Sequence, residues 1–184
     1  MKKLIVFAAC AMLAAVTQAA SVGWSLAGAN SYANDAYQFF IIGQKGATDI
    51  ATIVALLDAG KDTSSYAVGS GVVGSTGSAT VPASSTSPSV GAGTHTGFFV
   101  VFDDASPAAG SANYAVVSGA ANLTKTVAAT TAQVLFAAGN QSTYLNDTKN
   151  WKSFGTSSGG VPEPTSGLLL LVGAGMLALR RKQK

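Results

Sequence analysis

Residues 97–104 read GFFVVFDD, and the reading of this stretch decides the fold. Five successive apolar residues, all aromatic or β-branched, suit a strand and are too few for an ordinary helix. A strand with one wet face alternates apolar and polar side chains. Here both sets are apolar, so both faces of the strand need cover. Three other runs share this character: YQFFIIGQKG at 37–46, NYAVVSG at 113–119 and AQVLFAAG at 132–139. SLAGAN near Ser25 and TKTVAAT near Val127 read as weaker strands. The pattern predicts a mainly β protein with a single β-sandwich-like domain.

One helix is expected beside these strands. In GATDIATIVALLDAGKD, residues 46–62, Ile50, Ile53, Val54 and Leu57 recur at helical spacing and share a face. Thr48 is placed to cap the first turn, Asp49 to meet the positive end of the helix dipole, and Gly60 to stop the helix in a left-handed conformation. This amphipathic helix is expected to lie across the sheet and cover one face. Residues 69–97, GSGVVGSTGSATVPASSTSPSVGAGTHTG, carry no acidic or basic side chain apart from His95 and few apolar anchors. They read either as long loops around weak strands at 71–74 and 79–82, or as a flexible insertion. No repeat of solenoid period is present.

The chain has 184 residues, enough for one ordinary domain and terminal signals. Charged residues make up 10% of it and hydrophobic ones 48%, against about 25% charged in an average soluble domain. The sequence pI of about 9.1 suggests nucleic acid, but the charge distribution excludes that partner. Six of the eleven basic residues, Lys2, Lys3, Arg180, Arg181, Lys182 and Lys184, sit at the termini. Between residues 21 and 161, five Lys against seven Asp leave a net −2. A phosphate backbone would find no basic stripe there.

The terminal charge belongs to addressing signals. MKKLIVFAACAMLAAVTQAA, residues 1–20, has a positive start, an apolar core from Leu4 to Val16 and a small-x-small site at Thr17 and Ala19. This is the pattern of a signal peptide, residues 1–19, handled by the Sec export machinery and cut by signal peptidase after Ala19. The single cysteine, Cys10, lies inside that apolar core, so a body starting at residue 20 has no cysteine. It can form neither a disulfide nor a thiolate metal site. The expected body spans 20–154, followed by a Gly/Ser linker, GTSSGG, at 155–160.

The body offers little chemistry. Gly155-Thr156-Ser157-Ser158-Gly159 matches the nucleophile-elbow pattern, but no helix pattern follows it, and it reads as linker. His95 is the only histidine. It lies in a Gly/Thr-rich segment and reads as a solvated loop residue, which leaves no catalytic triad and no histidine metal cluster. Asp103-Asp104 is the one adjacent carboxylate pair, and FDDASP reads as the start of a turn. A surface Ca²⁺ site would need these or Asp58 and Asp62, and the calcium-loop spacing is absent. No catalytic residue, metal or cofactor is expected. A row of exposed aromatics would mark a carbohydrate-binding module, with Trp24, Tyr66 and Trp151 as candidates. A cleft with two converging carboxylates would mark a hydrolase.

The last residues, 161–184, read VPEPTSGLLLLVGAGMLALRRKQK. The apolar run 168–179 has 12 residues, about 18 Å as a helix against about 30 Å of hydrocarbon. A permanent span is poorly matched, and a plain type-I anchor would require thinning or snorkelling. The terminal Arg and Lys residues favour the cytoplasmic side, with the body exported. Pro162-Glu163-Pro164, a short hydrophobic helix (167–179) and Arg180-Arg181-Lys182 at the end together resemble the PEP-CTERM sorting domain. The resemblance implies recognition by an exosortase, an integral-membrane, cysteine transpeptidase-like enzyme of Gram-negative bacteria with exopolysaccharide systems. It assigns Pro162, Glu163 and Pro164 to recognition and Arg180, Arg181 and Lys182 to retention during export. It further implies a precursor held transiently in the inner membrane and cleaved near the motif, with the body delivered to the cell surface or matrix. That body is expected to be non-enzymatic, structural or adhesive, with exopolysaccharide or other envelope components as partners.

Overall fold

The computed structural model describes residues 19–27, 33–84 and 87–155. The expected signal peptide up to residue 18, most of the linker and the whole 161–184 tail lie outside the described residues. Among the described residues, ten strands, β1 to β10, and two α-helices follow in chain order. The strands form two sheets, in accord with the expected β-rich body.

Residues 97–102 of the GFFVVFDD run belong to β6 (Gly93–Phe102), a central strand of the larger sheet. It pairs antiparallel with β2 (Ala36–Ile41) on one side. On its other side its second half pairs with β7 (Asn113–Val117) and its first half with β8 (Thr124–Val127). β3 (Gly69–Val72) extends the sheet beyond β2, and β10 (Trp151–Ser153) extends it beyond β7. The smaller sheet is built around β1 (Ala20–Ala27). β4 (Ser78–Val81) and the two-residue β5 (Ser89–Val90) share one edge of β1 antiparallel, and β9 (Gln133–Asn140) lies parallel along the other.

The continuous apolar run of β6 divides cleanly between two cores. Phe99 and Val101 join Tyr37, Phe39 and Ile41 of β2, Ala115 and Val117 of β7, and Val22, Trp24, Leu26 and Phe136 of the smaller sheet. This core lies between the sheets, where Phe39 stacks on Trp24 at 5.3 Å between centroids and contacts Phe99 at 4.8 Å. Phe98, Val100 and Phe102 point the other way and meet Phe40, Tyr114, Phe154 and the helix residues Ile53 and Leu57. A third layer of helix and loop therefore covers the back of the larger sheet, as two-faced apolarity requires.

That layer is α1 (Ile50–Asp58), and its cap differs from expectation. Asp49, not Thr48, is the N-cap: its Oδ1 accepts from the Thr52 amide at 2.6 Å. Thr48 lies one residue too early to reach the amides of the first turn, and its hydroxyl bonds that of Thr52 instead. At the other end Gly60 adopts φ +68°. Its amide bonds the Leu57 carbonyl and the Lys61 amide bonds that of Leu56, which closes the helix as predicted. Tyr114, fully buried in β7, donates to Asp58 Oδ1 and ties the helix end to the sheet. Burial, reinforced by Asp58, pushes the Tyr114 phenol well above its ordinary range.

In residues 69–97 the first of the two readings holds: the weak strands expected at 71–74 and 79–82 are β3 and β4, displaced by one or two residues. The segment also contributes β5 and the first residues of β6. The signal is weak because small residues are required there. A Cβ at Gly69 would come within 2.2 Å of the Trp24 ring, so only glycine admits the indole that reaches across the core. The segment near Ser25 is misread as weak: it belongs to β1, the strand every other member of the smaller sheet pairs with. Among the described residues no helix is long and apolar enough to cross a membrane.

Candidate functional site

Ala19 is exposed just ahead of β1, and Ala20 enters that strand fully buried. Thr17, the other expected determinant of signal-peptide cleavage, lies outside the described residues. So do Pro162, Glu163, Pro164, Arg180, Arg181 and Lys182. At the far end of the body Phe154 is buried against Phe102, and the Gly155 amide bonds the Leu57 carbonyl at 2.9 Å. Gly155 is thus docked on the C-terminus of α1, and the expected linker loses its first residue to the body.

Within the body the sequence candidates are dispersed. His95 stands on β6 opposite Lys125 of β8 rather than in a loop, and its Nε2 lies 2.9 Å from the Gly91 carbonyl. The alternating Thr-His-Thr pattern of that half-strand carries the signal, and the flanking glycines obscure it. Threonines 94 and 126, and 96 and 124, pair across the same two strands through their hydroxyls. Asp58 is engaged by Tyr114, and Asp62 receives the amide and hydroxyl of Ser64. Those two bonds hold the Asp62 carboxyl below its ordinary range. Among the described residues no three His, Cys, Asp or Glu side chains are grouped to hold a metal ion.

Trp24 is removed from the aromatic candidates by burial: it is 5% exposed, and its Nε1 donates to the Tyr37 hydroxyl. Tyr66 is half-buried against the helix-side core. Trp151 is different. It opens β10, packs against the inter-sheet core with one side, and lines a cavity of about 450 Å³ with Asp35, Asp103, Asn113, Leu145, Asn146 and Thr148. The cavity sits at one end of the larger sheet. The residues entering β2, leaving β6 and entering β7 and β10 meet there with the segment after α2 (Ser142–Leu145).

Local bonds fix this wall. Asp103 Oδ1 accepts from the Asn113 amide and Oδ2 from its side-chain Nδ2, each at 2.6 Å. Asp104 Oδ1 accepts from the Ser106 amide, which makes the turn expected at FDDASP. The Trp151 indole donates to the Leu145 carbonyl at 2.7 Å, and Asn150 Nδ2 donates to the Tyr144 carbonyl. Asp35 is the exception. It is half-buried, and its carboxyl is raised above the ordinary range by desolvation first, then by the negative charges of Asp103 and Asp104. The sequence does not announce this grouping, because Asp35 is 68 positions away from Asp103 in the chain and only the β2–β6 pairing brings them together.

Comparison with known families adds the decisive observation for the tail. Residues 160–183 match the model of the PEP-CTERM protein-sorting motif. The chain carries that motif. The matched span includes the Pro162-Glu163-Pro164 triplet and the Arg180-Arg181-Lys182 cluster. A PEP-CTERM motif implies an exosortase as processing partner and, in general terms, an exported protein that is membrane-associated before it reaches the surface. Neither the comparison with characterised proteins nor that with solved structures gives a match.

Proposed function

We propose that this is an exosortase substrate whose delivered part, residues 20 to about 160, is a non-enzymatic structural or adhesive protein of the cell surface or extracellular matrix. The observation that carries the reading is the PEP-CTERM match at 160–183. In this reading the signal peptide 1–19 is removed after Ala19. The tail then holds the precursor in the inner membrane through the 167–179 helix, with Arg180, Arg181 and Lys182 on the cytoplasmic side. Exosortase cuts near Pro162, Glu163 and Pro164. The two prolines keep the chain extended and stop the membrane helix from running into the cleavage segment.

The placement of ordered elements supports this sequence of events. β1 starts at Ala20, immediately after the expected signal-peptide cut, so a cut after Ala19 leaves β1 whole. Among the described residues, the last contacts of the body are those of Phe154 and Gly155. Cleavage seven or more residues later leaves them intact. A non-enzymatic role is favoured because Asp58, Asp62, Asp103 and Asp104 are each engaged by neighbouring donors.

Fractionation of cells with and without an exosortase tests the reading. The wild-type protein should leave the inner membrane only where the enzyme is present. Glu163→Ala and an Arg180→Gln/Arg181→Gln/Lys182→Gln variant should both be delivered poorly. Equal delivery of all three proteins in both hosts would overturn it.

A further inference from the structure

We propose that the groove lined by Trp151, Asp35, Asn146 and Thr148 is a binding site for an uncharged hexose oligosaccharide. The inference concerns the body alone and does not rest on processing of the tail.

Trp151 forms the aromatic wall of the groove. Its only polar atom is spent on the Leu145 carbonyl, so what the indole brings to the groove is its apolar surface. Packing against the inter-sheet core holds that surface in place. A rigid aromatic wall set in a polar groove suits a ligand with one apolar face and a rim of hydroxyls, which describes a hexose ring. Leu145, buried beside it, extends the apolar floor. The rim is supplied by the Thr148 hydroxyl and the Asp35 carboxyl, groups that donate to or accept from hydroxyls. Burial, then the negative charges of Asp103 and Asp104, raise the Asp35 carboxyl, which lines the groove. A partly desolvated acceptor of this kind gains from a ligand hydroxyl that donates to it. At about 450 Å³ the cavity falls within the range of small-molecule sites.

The same side chains set what the groove refuses. Asp35 and Asp103 line it and Asp104 stands near enough to act on Asp35. A uronic acid or sulfated sugar would meet uncompensated negative charge, so selection runs against anionic glycans. Hydrolysis is disfavoured by the state of Asp103. A glycosidase needs two available carboxyl groups, and both Asp103 oxygens are held by Asn113. Asp35 is left as a single carboxyl, suited to binding.

The exported protein purified from its own cells is titrated with gluco-, manno- and galacto-oligosaccharides and, as the charged control, tetragalacturonate, by calorimetry and by tryptophan emission. With Trp24 buried, emission changes report chiefly on Trp151. The expected result is saturable binding of at least one neutral oligosaccharide with a change in emission, and no binding of tetragalacturonate. Asp35→Asn should weaken that binding about tenfold. Removing a destabilising charge leaves this variant at least as stable as the parent, so the loss cannot be laid to misfolding. Trp151→Phe, which keeps an aromatic wall, should bind more tightly than Trp151→Ala. The proposal is overturned if no neutral oligosaccharide binds, if Asp35→Asn binds as the parent does, if tetragalacturonate binds equally well, or if the bound oligosaccharide is cleaved.

Discussion

The two sheets of this protein solve the same packing problem with different amounts of cover. The larger one is buried on both faces, by the smaller sheet in front and by α1 with its flanking loops behind. The smaller one is buried mainly on its inner face. Its inward residues are large, such as Trp24, Leu26 and Phe136, whereas the alternate positions of β1 are small. Ser21 and Ser25 are half-buried, and Gly23 is buried beneath the 81–83 backbone, where a Cβ would come within 2.6 Å of the Val81 carbonyl oxygen. The difference teaches where the stability of such a charge-poor body resides. Sheet strands with two dry faces carry dense aromatic contact, and the outer face of β1 is kept small and uncharged.

The sharpest way to break this comparison is to truncate one side chain from each region. Phe99→Ala, in the core between the sheets, should cost about 3–5 kcal/mol by chemical denaturation. Thr80→Ala, exposed on the outer face of β4, should stay within about 0.5 kcal/mol of the parent. Comparable losses at the two sites would mean that the outer face is covered in solution.

Gly69→Ala probes the same core from its edge. The added methyl overlaps the Trp24 ring, and the expected cost is about 1–3 kcal/mol, with a change in tryptophan emission as the indole is displaced. A silent substitution would show that Trp24 is not held across the core as described.

Two carboxyl groups sharpen the account through pH. Asp49 is held below its ordinary range by the Thr52 amide and hydroxyl, so its contribution to the helix layer is present above that range and lost as pH falls through its depressed native value. Asp49→Ala should lower Tm at neutral pH, and the difference should close in strong acid. Asp35 has the opposite sign. Its native value is raised, so the folded state is favoured by protonation and loses stability as pH rises through that raised value. Asp35→Asn should raise Tm slightly at neutral pH and leave it unchanged below the ordinary carboxylate range. This is the smallest effect, because the group is only partly buried and solvent screens it.

The contrast between the sheets also explains what could be read from the sequence. β2, β6 and β7 were legible because two dry faces write an unbroken apolar run, and α1 because helical spacing survives in a short segment. β1 was legible only as a weak strand although it organises the smaller sheet, since its outward positions are Ser and Gly. β5 and β10, with two and three residues, carry no period to detect. The helix cap was misplaced by one residue because Thr and Asp are adjacent and both can cap. The tail was legible as a linear signal, for it needs only order and position along the chain. The groove was not, because Asp35, Asp103 and Trp151 are brought together by strand pairing and by the turn after α2. Asp103 and Trp151 are each candidates on separate grounds, and nothing in the sequence around Trp151 distinguishes it from Trp24.

The central claim is that the chain is trimmed at both ends and only the β body is delivered. Intact mass with peptide mapping of the protein from its native cells tests it most directly, with the same protein from a host lacking exosortase as control. The account predicts a native chain that begins at Ala20 and ends near the Pro162-Glu163-Pro164 triplet, beside a control that retains its tail. A native chain still ending at Lys184 and released only by detergent would contradict it and make the protein a short-spanned membrane anchor.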